Sequence, residues 1–150
     1  MAIDLQEQYD KIYRYCYYRL HNTWKAEDIT QETFLHYLEC DSYKDIGRPL
    51  AFLYTIARNL CIDEMRKKKT EELPEDLTDD GFENRLVDAV AVRQAVRELD
   101  EKEQELLLLR YANEVPVSDL AKFYDKSRYA VYRDINRITK KLEVKLSYEK

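Results

Sequence analysis

The chain has 150 residues, 30 of them acidic and 25 basic, for a formal net charge of −5. It holds only 2 Gly and 3 Pro, against roughly 12% for the two together in average proteins. That scarcity argues against sandwiches, barrels and Gly-rich phosphate-binding folds, whose tight turns draw on the positive φ that Gly adopts most cheaply.

In chain order, Leu5, Tyr9, Ile12, Cys16 and Leu20 fall at helical spacing, and Tyr13 and Tyr17 widen the stripe. Residues 26–39 continue as a second amphipathic helix through Ile29, Thr33, Phe34, Tyr37 and Leu38. Cys40 to Gly47 reads as a polar loop. Pro49 then stands where the first turn of a helix tolerates it, since its missing N–H would be unpaired there anyway. This third helix carries Leu50, Leu53, Ile56, Ala57 and Leu60 and ends in Arg66-Lys67-Lys68-Lys69, cations that suit a helix C-terminus.

Residues 70–85 hold 7 acidic residues and 1 basic, with Pro74 and Gly81 and no helical period. They read as a flexible acidic linker between two all-α domains, residues 1–69 and 86–150. In the second, Leu86, Val90, Val92, Val96 and Leu99 suggest a helix. Asp100 and Glu103 resemble a capping pair for the next, which carries Leu106 to Leu109. Pro116 ends that region. Ser118 is placed to cap a short helix, Asp119 to Tyr124; Asp125-Lys126 forms a tight turn; Ser127 caps a long final helix. The predicted buried face of that helix is Val131, Ile135, Ile138, Leu142 and Leu146.

Residues 118–137 thus have the order short helix, turn, helix, which is the helix-turn-helix arrangement. Its second helix presents its N-terminal residues to base edges in the major groove. Here those are Ser127, Arg128, Tyr129, Tyr132 and Arg133, off the apolar face, with Arg137, Lys140, Lys141 and Lys145 extending toward phosphate reach. Residues 126–150 hold 8 basic and 3 acidic residues inside an acidic chain. This is the charge segregation that nucleic-acid binding requires. A solvated basic helix face would give the same pattern.

A second cationic focus joins Arg58, Arg66, Lys67, Lys68 and Lys69 to Phe52 and Tyr54. Cations with aromatics suit single-stranded nucleic acid, and core aromatics beside a C-terminal charge cluster are an equal alternative. No HExxH, Cys/His metal spacing, GxGxxG, P-loop or GxSxG is present, so neither catalysis, a cofactor nor a metal is expected. Cys16, Cys40 and Cys61 form no CxxC and are expected as free thiols. No apolar run approaches a membrane span and the N-terminal residues lack a signal-peptide progression; a cytoplasmic location follows as an expectation.

Three motifs carry a family resemblance. Ala26-Glu27-Asp28-Ile29-Thr30-Gln31-Glu32-Thr33-Phe34 is similar to the D-x-x-Q-E-x-F stretch of sigma region 2. Leu53 to Arg66, containing Ile56-Ala57-Arg58-Asn59, Asp63 and Arg66, is similar to its I-A-R-N-x-x-x-D-x-x-R stretch. Val117-Ser118-Asp119-Leu120-Ala121 followed by Ser127-Arg128-Tyr129-Ala130-Val131 is similar to the region 4 helix-turn-helix. In this order they resemble a bacterial RNA polymerase sigma factor of the extracytoplasmic-function type, the minimal two-domain group. Phe52 stands where that family usually has Trp, and Asp125 where it usually has Gly.

The resemblance implies promoter-specific initiation as a dissociable subunit of core RNA polymerase. Asp28, Gln31, Glu32 and Phe34 would contact the polymerase clamp helices. Phe52, Tyr54, Arg58, Asn59, Arg66 and Lys67, with the loop after Cys40, would hold the single-stranded non-template −10 element. Ser127, Arg128, Tyr129, Tyr132, Arg133, Arg137 and Lys140 would read the double-stranded −35 element. The acidic linker would pass through the polymerase channels as a mimic of nucleic acid. Family members often have an anti-sigma factor, which makes one a candidate partner. The alternative is a helix-turn-helix regulator that is not a polymerase subunit.

Overall fold

The structure, a computed structural model, describes residues 4–40, 48–68 and 90–148. Every described element is helical. The predicted linker, residues 70–85, and most of the predicted −10 loop lie outside the described residues. The chain divides into two compact units, residues 1–78 and 79–150.

The first unit contains α1 (Leu5–Leu20), α2 (Thr23–Glu39) and α3 (Pro49–Lys68). Asp4 caps α1, its carboxylate accepting from the Glu7 N–H at 3.2 Å. Asn22 caps α2 in the same way, accepting from the Lys25 N–H at 3.0 Å. Only His21 and Asn22 separate the two helices, and His21 takes the left-handed conformation, φ 53°, that closes the reversal. The α2 helix therefore begins three residues before the expected Ala26, because the Asn22 cap lies upstream of the first periodic apolar residue.

Ile12, Tyr15, Cys16 and Leu20 of α1 meet Ala26, Ile29 and Tyr37 of α2 and Ala51, Leu53, Tyr54, Ala57 and Cys61 of α3 in the core. The buried face of α3 is rotated from the predicted one. Leu50, Ile56 and Leu60 are half-buried, whereas Tyr54 and Cys61 are buried. The reason is that α3 packs against both α1 and α2 and must bury a wider arc than a single amphipathic stripe. Tyr54 and Tyr15 meet edge to face with ring centroids 5.8 Å apart. The buried hydroxyls of Thr30 and Thr33 donate to the carbonyls of Ala26 and Ile29 at 2.6 and 2.7 Å, so neither carries an unpaired polar group into the core.

The second unit contains α4 (Val90–Arg97), α5 (Glu101–Leu107), a π-helical turn (Leu108–Ala112), α6 (Val117–Tyr124) and α7 (Arg128–Tyr148). The expected capping pair is present. The Asp100 carboxylate accepts from the Glu103 N–H at 2.8 Å, and the Glu103 carboxylate accepts from the Asp100 N–H at 3.2 Å. Leu106 to Leu109 are all buried. Four consecutive residues sweep about 300° of an α-helix at 3.6 residues per turn, too wide for one packed face. The change to π winding, with the Asn113 N–H donating to the Leu108 carbonyl, occurs within this run.

Pro116, rather than Ser118, begins the next helix. The Pro116 carbonyl accepts from the N–H groups of Asp119 and Leu120, and Ser118 lies inside the first turn of α6. Pro fixes φ near the value that a helix start needs, so the entry forms without a side-chain cap. Asp125 and Lys126 then build a Schellman turn. The Lys126 N–H donates to Ala121 O and the Asp125 N–H to Lys122 O, with Asp125 at φ 55°. Ser127 caps α7 as expected, its hydroxyl accepting from the Ala130 N–H at 3.1 Å. Val131, Ile135 and Ile138 are buried, while Leu142 and Leu146 are half-buried.

Two lysines of α7 tie the unit together. Lys141 reaches the Glu103 carboxylate at 2.7 Å, and Lys145 reaches Glu98 at 2.9 Å. The expectation that these two cations extend toward phosphate is therefore corrected: both are held by acidic residues at the α4–α5 corner. Tyr124 donates to the buried Glu105 at 2.8 Å and fastens α6 to α5.

This packing sets the stability effects of three substitutions. Tyr54→Ala removes a core ring and is expected to cost about 3–5 kcal/mol in urea unfolding of the full chain. Lys141→Ala strands the buried Glu103 carboxylate and is expected to cost about 1–2 kcal/mol, between an exposed and a buried pair. Lys140→Ala, one residue away and exposed, is expected to stay within about 0.5 kcal/mol of the parent.

Candidate nucleic-acid interface

In the second unit, the capped start of α7 projects one continuous outer surface. Ser127, Arg128, Tyr129, Tyr132 and Arg133 are all exposed, with Tyr129 at 75% and Tyr132 at 52%. Burial of Val131, Ile135 and Ile138 on the opposite side forces this orientation, because residues one position away lie about 100° around the helix. The side chains of Arg128 and Arg133 make no hydrogen bond or ion pair with the described residues. Their guanidinium groups are free to fork onto an acceptor pair, as bidentate recognition requires. Lys140 is also exposed. Arg137 differs: its guanidinium lies 3.4 Å from the carboxylate of the buried Asp134, which also holds Lys126 at 3.0 Å.

In the first unit, Asn59, Asp63, Arg66 and Lys67 lie exposed along one stripe of α3. Arg66 approaches Asp63 at 3.8 Å, an exposed pair of little strength. Arg58 is half-buried beside this stripe. Phe52 is half-buried and its ring lies 5.9 Å from that of Tyr37 on α2. Tyr54 is 1% exposed. Its expected role as a stacking ring for DNA is replaced by a core role, since a ring with no accessible face cannot receive a base.

The α2 helix presents a different surface. Asp28 and Gln31 are exposed and Glu32 is half-buried, with His36 Nε2 3.6 Å from the Glu32 carboxylate. Phe34 is half-buried and stacks on Tyr9 of α1 at 5.6 Å, so it packs the bundle as well as bordering this surface. Trp24, Leu35 and Leu38 are 83%, 58% and 50% exposed. Together with Asp28 and Gln31 they follow the i, i+4, i+7, i+11, i+14 spacing of a single helix face. The sequence reading assigned Leu38 to the buried side and passed over Trp24 and Leu35. The available signal was a second apolar stripe in α2, offset from the Ile29/Thr33/Tyr37 core stripe. This outer face of α2 therefore alternates exposed apolar side chains with the acidic and polar groups of Asp28 and Gln31.

Among the described residues no cluster of three or more His, Cys, Asp or Glu is placed to hold a metal ion, and no helix is long and apolar enough to cross a membrane. Cys16 and Cys61 are buried free thiols and Cys40 is a half-buried one.

The arrangement has known counterparts. The Sigma-70 region 2 family model matches residues 5–71. The chain is 35% identical over 131 residues to the ECF RNA polymerase sigma factor SigW of Bacillus subtilis, covering 74% of this chain and 70% of SigW. It is 32% identical over 160 residues to the ECF RNA polymerase sigma factor BldN of Streptomyces coelicolor, covering 92% of this chain and 59% of BldN. The fold is similar to that of the sigma factor RpoE from Bartonella quintana, solved in complex with the anti-sigma factor NepR. The TM-score is 0.64, with 97% of each chain covered and 20% identity. Motif order, the helical units and the extent of the match to SigW agree: the chain belongs to the extracytoplasmic-function family of RNA polymerase sigma factors.

Proposed function

We propose that this chain binds core RNA polymerase through the outer face of α2 and directs it to promoters through α3 and α7, with no catalytic chemistry of its own. The exposed, capped N-terminal segment of α7 is the observation that carries the promoter-reading role. Arg128 and Arg133 supply unpaired guanidinium forks suited to guanine O6 and N7. Ser127, Tyr129 and Tyr132 frame them, and Lys140 lies further along the same helix for phosphate contact. The −35 element is the natural target of this surface.

The exposed α3 stripe of Asn59, Arg66 and Lys67, flanked by Arg58, suits the displaced −10 strand, where cations follow the backbone and polar groups meet unpaired bases. Phe52, half-buried beside Tyr37, contributes the part of its ring that stays accessible. On α2, Asp28, Gln31 and Glu32 supply acidic and polar contacts. Trp24, Leu35 and Leu38 supply the apolar area that a protein interface needs at its centre. An anti-sigma factor is a further candidate partner, since the structurally similar RpoE was solved with one.

The decisive experiment is core-polymerase pull-down followed by run-off transcription on genomic fragments. Core binding with promoter-selective transcripts supports the proposal. Tight operator binding by the free chain without core association would instead mark a regulator. Within this assay, Arg128→Ala and Arg133→Ala are each expected to lose about 1–3 kcal/mol of discrimination at one base pair, with core binding intact. The double substitution Leu35→Asp and Leu38→Asp is expected to weaken core affinity by about 2 kcal/mol or more, with helicity unchanged because both side chains are exposed.

A further inference from the structure

Four carboxylates are buried among the described residues of the second unit, Glu103, Glu105, Asp119 and Asp134, and Glu103, Glu105 and Asp134 hold different partners. Glu103 closes the α5 capping box and holds Lys141 of α7. Glu105 receives the Tyr124 hydroxyl of α6. Each of these joins two helices. Asp134 joins none. Its side chain is 10% exposed, and its two cations are Lys126, in the turn two residues before α7, and Arg137, one turn further along α7 itself. The cavity beside it, about 140 Å³, is lined by Leu106, Tyr124, Val131 and Ile138, with Asp100, Lys102 and Glu103 as the other charged groups around it.

A buried ion pair is weak evidence of stabilisation in its own right, and α7 is already anchored by Val131, Ile135, Ile138 and the Glu103–Lys141 bridge. What Asp134 does control is charge. Lys126 and Arg137 keep 49% and 57% of their side chains exposed. Lys126 precedes the helix proposed to enter the major groove and Arg137 lies further along it, positions from which a docked helix-turn-helix meets phosphates. One carboxylate shared between two cations leaves that cluster with one net positive charge instead of two.

We infer that Asp134 is a specificity-determining residue: it withholds Lys126 and Arg137 from DNA phosphates and so suppresses sequence-independent binding. Discrimination then falls to Arg128 and Arg133, which pair with no carboxylate among the described residues. The inference rests on the proposed role of α7 in reading DNA. It also accounts for a chain whose basic segment, 8 basic residues against 3 acidic in residues 126–150, is less available to phosphate than its composition indicates.

The test is Asp134→Asn in the full chain, measured free and as holoenzyme with core polymerase. The probes are a random-sequence duplex and a promoter duplex selected with the parental holoenzyme. Counterion release gives a slope of about −0.9 per phosphate neutralised. The variant is expected to steepen the salt dependence on random duplex by about one to two ions, and to raise that affinity about tenfold near 0.1 M salt. The ratio of promoter to random affinity should fall. Lys126→Gln alone should leave the random-duplex slope unchanged, but should take back about one ion in the Asp134→Asn background.

An unchanged or shallower slope in Asp134→Asn with native helicity and promoter binding intact overturns the inference and leaves the proposed function standing. If Asp134→Asn fails to fold, Lys126→Gln alone decides: loss of a full ion shows that Lys126 already contacts phosphate and overturns the inference, and an unchanged slope supports it. A parental holoenzyme that binds neither duplex overturns both the inference and the role assigned to α7.

Discussion

The reversal at Asp125 decides where the outer face of α7 points. Two backbone bonds, Lys126 N–H to Ala121 O and Asp125 N–H to Lys122 O, close α6 while the Ser127 hydroxyl opens α7. With only three residues between the helices, the crossing has little freedom. A residue at φ 55° makes this possible, and Asp meets that requirement better than most residues with a Cβ because its short polar side chain bonds locally. The same solution recurs at His21 and Glu114, the other positive-φ residues described. These three turns reverse the chain without glycine, and the outward orientation of the exposed residues at the start of α7 depends on that at Asp125.

Charge is allocated with similar economy. Of the basic residues in the last helix, Lys141 and Lys145 are occupied by Glu103 and Glu98, and Arg137 by Asp134. Arg128 and Arg133, at the helix start, pair with no carboxylate among the described residues, and in the proposed function this is the end nearest the base pairs. The net charge of −5 is therefore compatible with DNA recognition, because affinity depends on the cations that reach the duplex and not on the total. The first unit separates its surfaces in another way. The polar stripe of α3 and the exposed Trp24, Leu35 and Leu38 of α2 belong to different helices of one bundle, so the two contacts proposed for them do not compete for the same helix.

Much of this was legible in the residues. The boundaries of α1 and α3, the Asp100–Glu103 box, the Ser127 cap, the turn at Asp125-Lys126 and the outward set from Arg128 to Arg133 all rest on local rules of spacing and capping. The starts of α2 and α6 differ from the reading for local reasons, the Asn22 cap and the Pro116 entry, whereas three side-chain differences share a tertiary cause. Tyr54 was offered to DNA because an aromatic near cations suits stacking, yet whether it faces solvent depends on Tyr15, 39 positions earlier in the chain. Leu38 was placed in the core, though α2 has two apolar rows and only packing selects between them. Lys141 and Lys145 looked like phosphate ligands until Glu103 and Glu98 were brought beside them.

The sequence by itself determined that the described elements are helical, several of the caps and turns that bound them, and which family its motifs belong to. Those features follow from interactions within a few residues: a cap reaches three positions, a helical stripe repeats every 3.6, and a turn closes over six. Only the tertiary structure decided which charges are spent inside the fold and which remain for a partner. It alone paired Asp134 with Lys126 and Arg137, set Glu103 against Lys141, and left Trp24, Leu35 and Leu38 uncovered. The physical reason is that burial and ion pairing depend on which helix faces arrive opposite one another, and local spacing does not encode that.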